Sequence, residues 1–129
     1  ASGDPAAASA ARAAAELLLE HHVVYRANLS APIRPQWLKP AYPAYWHYGL
    51  VPALVALDRM GLVHDPRTER ARAALAAKRS ADGWWVSEHQ WWNPPGHRIS
   101  PEVVSWPGLG EPNPFLTISA LKVLGASGT

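Results

Sequence analysis

The stretch Asp65-Pro66-Arg67-Thr68-Glu69-Arg70-Ala71-Arg72-Ala73-Ala74-Leu75-Ala76-Ala77-Lys78-Arg79-Ser80-Ala81-Asp82-Gly83-Trp84-Trp85 decides the fold. Asp65 is a side chain suited to an N-cap, and Pro66 sits at the first helical position, where its missing N–H costs nothing. Alanines then supply high helix propensity. Ala71, Ala74, Leu75 and Ala77 mark a covered side, while Arg67, Glu69, Arg70, Arg72, Lys78 and Arg79 mark a solvated one. The spacing predicts an outer helix over 65–80, stopped by the Asp82-Gly83 turn. Trp84 is expected to pack as a staple at that end.

Working outward, the same signals recur. Residues 46–60 predict a second helix: Leu50, Leu54 and Leu57 fall at helical spacing, Pro52 lies near the first turn, and Gly61 suits the position after the end. Its only charges, Asp58 and Arg59, come last, so it reads as an inner helix. Asp4-Pro5 opens a helix predicted over 4–27, with Leu17, Leu18, Val24 and Tyr25 apolar and Arg12, Glu16, Glu20 and His21 wet. Asn113-Pro114 opens the last, over 113–124, with Phe115, Ile118, Leu121 and Leu124 repeating and Gly125 ending it. The fold class is all-α, and 1–129 reads as a single domain of about two helical hairpins.

Between these helices lie two long loops. Prolines 32, 35, 40 and 43 forbid a continuous helix across 29–44, where Ile33, Trp37, Leu38, Tyr42 and Tyr45 are available as anchors. The second loop, 84–112, holds Trp84, Trp85, Trp91, Trp92 and Trp106. With 7 Trp against 1 Phe in the chain, this concentration calls for a packing or binding role. The alternatives are loop wedges, a cavity lining, or a covered protein interface.

Composition narrows the function. The absence of cysteine excludes disulfide frameworks, thiolate nucleophiles and Cys-based zinc sites. A formal charge of +2 without a basic stripe argues against nucleic-acid binding. The apolar runs are too short for a membrane span, and residues 1–15 do not read as a signal peptide, so a cytoplasmic location is expected. No Gly-rich phosphate loop, Gly-x-Ser-x-Gly elbow or His-Glu-x-x-His occurs, and no cofactor is implied.

The helices echo one another. Pro52-Ala53-Leu54-Val55-Ala56-Leu57 is similar to Ser119-Ala120-Leu121-Lys122-Val123-Leu124, each following an Ala-rich helix and an aromatic loop. Lys78-Arg79-Ser80-Ala81-Asp82-Gly83-Trp84-Trp85 resembles the segment that closes each repeat in the terpenoid-cyclase and protein-prenyltransferase α/α-toroid superfamily. Tyr42-Pro43-Ala44-Tyr45-Trp46-His47-Tyr48, Leu62-Val63-His64-Asp65-Pro66-Arg67 and Pro112-Asn113-Pro114-Phe115-Leu116-Thr117 resemble proteins of that superfamily too. The resemblance runs over most of the chain and implies helical hairpins of a partial toroid with inner-helix entrances facing a hollow. Complete toroids use about five to seven hairpins, so it also implies self-association or a missing part of a longer chain. The Asp-rich protonating motif and the Asp/Cys/His zinc set are lacking, so neither family activity carries over.

The candidate site follows from this order. Trp46, His47, Tyr48, Trp91, Trp92, Asn113 and Thr117 are expected to line an aromatic pocket for an apolar or isoprenoid-like ligand, held by aromatic faces. His47, at the expected entrance of an inner helix, is a candidate base or hydrogen-bond donor; its alternative is to satisfy loop backbone groups. Glu88 and His89 are a candidate acid–base pair, with His97, Glu102 and Glu111 further along the loop. His21 and His22 point about 100° apart on a helix and cannot share a metal, and no metal site is assigned. The competing reading is a non-catalytic helical-repeat interaction module or oligomerisation scaffold.

Overall fold

The computed structural model describes residues 3–96, 98 and 104–125. It contains four α-helices and, among the described residues, no β-strand: α1 (Pro5–Glu20), α2 (Leu50–Arg59), α3 (Glu69–Ala77) and α4 (Pro114–Gly125). Single 3₁₀ turns at Pro35–Leu38 and Pro66–Thr68 complete the regular structure.

The predicted starts at Asp-Pro and Asn-Pro hold. Asp4 Oδ1 accepts from Ala6 N–H at 3.0 Å, and Asp65 Oδ1 accepts from Arg67 N–H at 2.9 Å. Asn113 Oδ1 accepts from both Phe115 and Leu116 N–H, at 3.0 and 3.1 Å. Each satisfies backbone donors that the first helical turn leaves without partners.

Three helices differ from their expected bounds. The first helix, expected over 4–27, ends at Glu20, because His22 and Val23 take positive φ of 45° and 74° and turn the chain back. Val23, Val24 and Tyr25 are then buried from the turn rather than from a helix face, and Leu17 is exposed. The second, expected over 46–60, begins only at Leu50, after Gly49 as N-cap. The third, expected over 65–80, opens as a 3₁₀ turn and stops at Ala77.

In the helical body α2 packs against α4, and α3 packs against both. Leu50, Ala53, Leu54 and Leu57 of α2 meet Leu116, Ala120 and Val123 of α4 and Ala71 and Leu75 of α3 in one core. Alanines at these positions let the helix backbones approach closely. α1 joins through the 66–68 turn, where Arg67 bridges Glu16 at 2.5 Å and Asp65 at 3.0 Å.

Trp85, not Trp84, is the staple. Its side chain is 1% exposed, against 41% for Trp84. Its indole N–H donates to the Leu75 carbonyl near the end of α3 at 2.8 Å, and its backbone N–H donates to Thr117 Oγ1 of α4 at 3.0 Å. Asn113 N–H donates back to the Trp85 carbonyl at 2.9 Å. Gly83, at φ 89°, makes the turn that sends Trp85 inward.

The loops are fastened to this body. Pro40 O accepts from Glu88 N–H at 2.7 Å and His89 N–H at 3.3 Å, tying the two loops together. Tyr42 stacks on Phe115 of α4 (centroids 4.5 Å, planes 7° apart), and Trp106 sits edge-on to both. α4 nevertheless leaves Ile118 and Leu121 exposed.

Candidate functional site

The two loops and the start of α2 enclose a cleft of about 450 Å³. Its floor is the entrance of α2: Gly49, Leu50, Val51 and Pro52. The 3₁₀ turn contributes Arg34, Gln36, Trp37 and Lys39 to its lining, beside the aromatic group Trp46, His47, Tyr48, His89 and Trp91. Residues 40 positions and more apart in sequence thus share one depression, within the size range of small-molecule sites.

The aromatic wall is ordered by stacking. His47 and Trp91 are parallel within 11° at 3.4 Å between centroids, and Trp46 lies tilted over His47 at 3.8 Å. Two rings this close to one imidazole must take opposite faces, so His47 is sandwiched. Trp91 meets His89 edge-on at 4.2 Å. His89 Nε2 is 3.2 Å from Gln36 Nε2; with the amide donating, the imidazole proton sits on Nδ1. Trp46 stands at the rim, 84% exposed.

Tyr48 anchors the cleft to α1. Its hydroxyl donates to the Val23 carbonyl, and Trp37 meets its ring edge-on at 4.8 Å. Burial pushes its phenol up to about 12, which keeps it a neutral donor at ordinary pH. An apolar depression of about 310 Å³, lined in part by Leu17, Leu18, Val23 and Ile33, shares Trp37 and Tyr48 with the cleft.

Of the expected site residues, Trp46, His47, Tyr48 and Trp91 come together here, and His89 joins them. His47 stands ahead of Leu50 rather than inside an inner helix, so the stack, not the helix terminus, fixes its ring. Trp92 is buried outside the lining. Asn113 and Thr117 are likewise elsewhere: Asn113 caps α4 and donates to Ser87 Oγ at 3.3 Å, and Thr117 holds the Trp85 backbone. Glu88 and His89 diverge, because both Glu88 carboxylate oxygens lie 2.9 Å from Lys78 Nζ. Glu111 closes its own turn by accepting from Gly108 N–H at 2.8 Å. His97 and Glu102 lie outside the described residues.

No family profile, curated protein or solved structure matches this chain.

The polar side chains of the lining that sequence reasoning missed are Arg34, Gln36 and Lys39. Their only signal is the spacing of Arg34-Pro35-Gln36-Trp37-Leu38-Lys39, which fits a single Pro-initiated turn with polar groups at both ends. Among the described residues, no group of three or more His, Asp or Glu side chains is placed to hold a metal ion. Nor is any helix of the described residues long and apolar enough to cross a membrane. What the arrangement offers chemically is a stack of aromatic rings beside apolar residues of the α2 entrance, with imidazole, amide and cationic groups in the same lining.

Proposed function

We propose that this chain binds an apolar, isoprenoid-like ligand in the cleft between the aromatic loops, as part of a partial α/α toroid of the terpenoid-cyclase kind. The observation that carries the reading is the convergence of Trp46, His47, Tyr48 and Trp91 on one cleft at the entrance of α2. The direct packing of α2 on α4, with α3 against both, supports their reading as neighbouring inner helices. The reading is one of binding. Glu88 is engaged by Lys78, and among the described residues no carboxylate belongs to the cleft lining to act as an acid partner for His47 or His89.

A second reading, an oligomerisation scaffold, rests on other surfaces. Ile118 and Leu121 present an apolar face of α4, and Trp46 stands almost fully exposed. A second copy of the chain covering these groups would bury them.

One experiment separates the two. Farnesol titrated against intrinsic tryptophan fluorescence is expected to bind, and Trp46→Ala and Trp91→Ala to weaken it by about tenfold each, the loss of a stacked or apolar contact worth about 1.4 kcal/mol. Sedimentation of the same variants reads association. Intact farnesol binding with association abolished would sink the ligand reading in favour of the scaffold.

A further inference from the structure

The cleft wall has an electrostatic asymmetry that an apolar ligand alone does not use. Among the described residues, two cations, Arg34 and Lys39, belong to the lining, and no carboxylate does. Both are held in place by one turn. Arg34 is the residue before the Pro35–Leu38 3₁₀ turn and Lys39 the residue after it. Trp37 N–H donates to the Arg34 carbonyl and Lys39 N–H to the Gln36 carbonyl, each at 3.0 Å, so the backbone spacing of the pair is set. The Arg34 guanidinium carbon lies 5.9 Å from the Trp37 ring centroid, which keeps that side chain against the wall. Among the described residues neither cation makes an ion pair, whereas Glu88, the acidic residue next to the lining residue His89, is taken by Lys78.

We infer that the ligand of this cleft carries an anionic head, a carboxylate on an apolar body, with Arg34 and Lys39 receiving the charge. The inference rests on the binding reading above and names the polar end of that ligand. Arg34 presents a planar fork that matches a carboxylate, and Lys39 a mobile point charge that follows it. Gln36, between them, adds an amide donor at the same edge. The aromatic stack would hold the body of the ligand and the turn its head.

The test compares two probes of one skeleton, farnesol and farnesoate, by tryptophan fluorescence at pH 7.5. Farnesoate is expected to bind about tenfold more tightly, the worth of a charge-assisted hydrogen bond at a partly solvated site. In Arg34→Gln/Lys39→Gln, with an unchanged urea midpoint as the check that these exposed substitutions leave the fold intact, the ratio of the two affinities should fall to about one. In the wild-type chain the farnesoate advantage should shrink in 0.5 M salt, where charges more than about 4 Å apart are screened. Equal affinity of the two probes for the wild-type chain overturns the inference and leaves the binding reading standing. A farnesoate advantage that survives the double substitution overturns it as well. Binding of neither probe overturns both.

Discussion

His22 closes α1 at a position where its side chain is a liability. Val23 N–H donates to Leu18 O and His22 N–H to Leu19 O, both at 2.9 Å, a paired closure that requires a left-handed residue between them. His22 supplies it at φ 45°. α2 ends in the same way, with Leu62 N–H on Leu57 O at 2.8 Å and Gly61 N–H on Asp58 O at 3.0 Å, but there the left-handed residue is a glycine at φ 74°. A side chain in this region clashes with its own carbonyl, and glycine does not. His22→Gly is therefore expected to raise the urea midpoint, by about 0.5–1 kcal/mol of stability. The contact of His22 Nε2 with Ala27 O at 3.2 Å is exposed and offsets little of this gain. A lower midpoint would mean that the imidazole, not the turn, holds the end of α1. Val23, also at positive φ and β-branched, is held by different means: its side chain is 1% exposed and its carbonyl accepts from Tyr48.

At the scale of elements, α1 is tied to the 66–68 turn by charge. Arg67 donates to both oxygens of Asp65 and both of Glu16, and these bonds hold both carboxyls below their usual range. Because the folded carboxyls titrate lower than the unfolded ones, their contribution is present above the ordinary carboxylate range and lost as pH falls through the lowered values. The melting temperature of the wild-type chain should thus exceed that of Arg67→Gln at pH 7. The gap should close as pH drops below about 4, where the unfolded carboxyls protonate first and the folded ones follow. A gap independent of pH would show that Arg67 acts through packing alone. Helix starts such as this one were legible in the sequence because a cap is local: Asp4, Asp65 and Asn113 each bond a backbone N–H two residues on. The end of α1 was not, because it stops without a glycine, and neither was the start of α2, which has no side-chain cap and yields Trp46, His47 and Tyr48 to the cleft. The cleft was half legible for the same reason. Trp46, His47 and Tyr48 are neighbours in one aromatic run, whereas Asn113 and Thr117 were claimed by Ser87 and Trp85, distant partners that no local pattern announces.

In the molecule as a whole Trp85 and Trp46 stand at opposite extremes of burial, and that contrast lets fold and site be tested apart. Trp85 joins α3 and α4 from inside the core through its indole N–H, its backbone N–H and its carbonyl. Trp46 stands 84% exposed at the rim, with the imidazole of His47 against its ring. Replacing Trp85 by Phe removes the bond to Leu75 O and leaves a void in a close-packed interior, for an expected loss of about 2 kcal/mol. Replacing Trp46 by Ala at the surface should change stability by no more than about 0.5 kcal/mol. Urea denaturation of the two variants reads both values on one scale. The contrast matters for the cleft, because a Trp46→Ala protein that keeps its stability but loses farnesol has lost a contact and not its shape. If Trp46→Ala destabilised the chain as strongly as Trp85→Phe, the Trp46–His47–Trp91 stack would be part of what holds the loops on the helices. The aromatic stack would then be a structural joint first, and the binding role of the cleft would have to be sought in the cationic turn beside it.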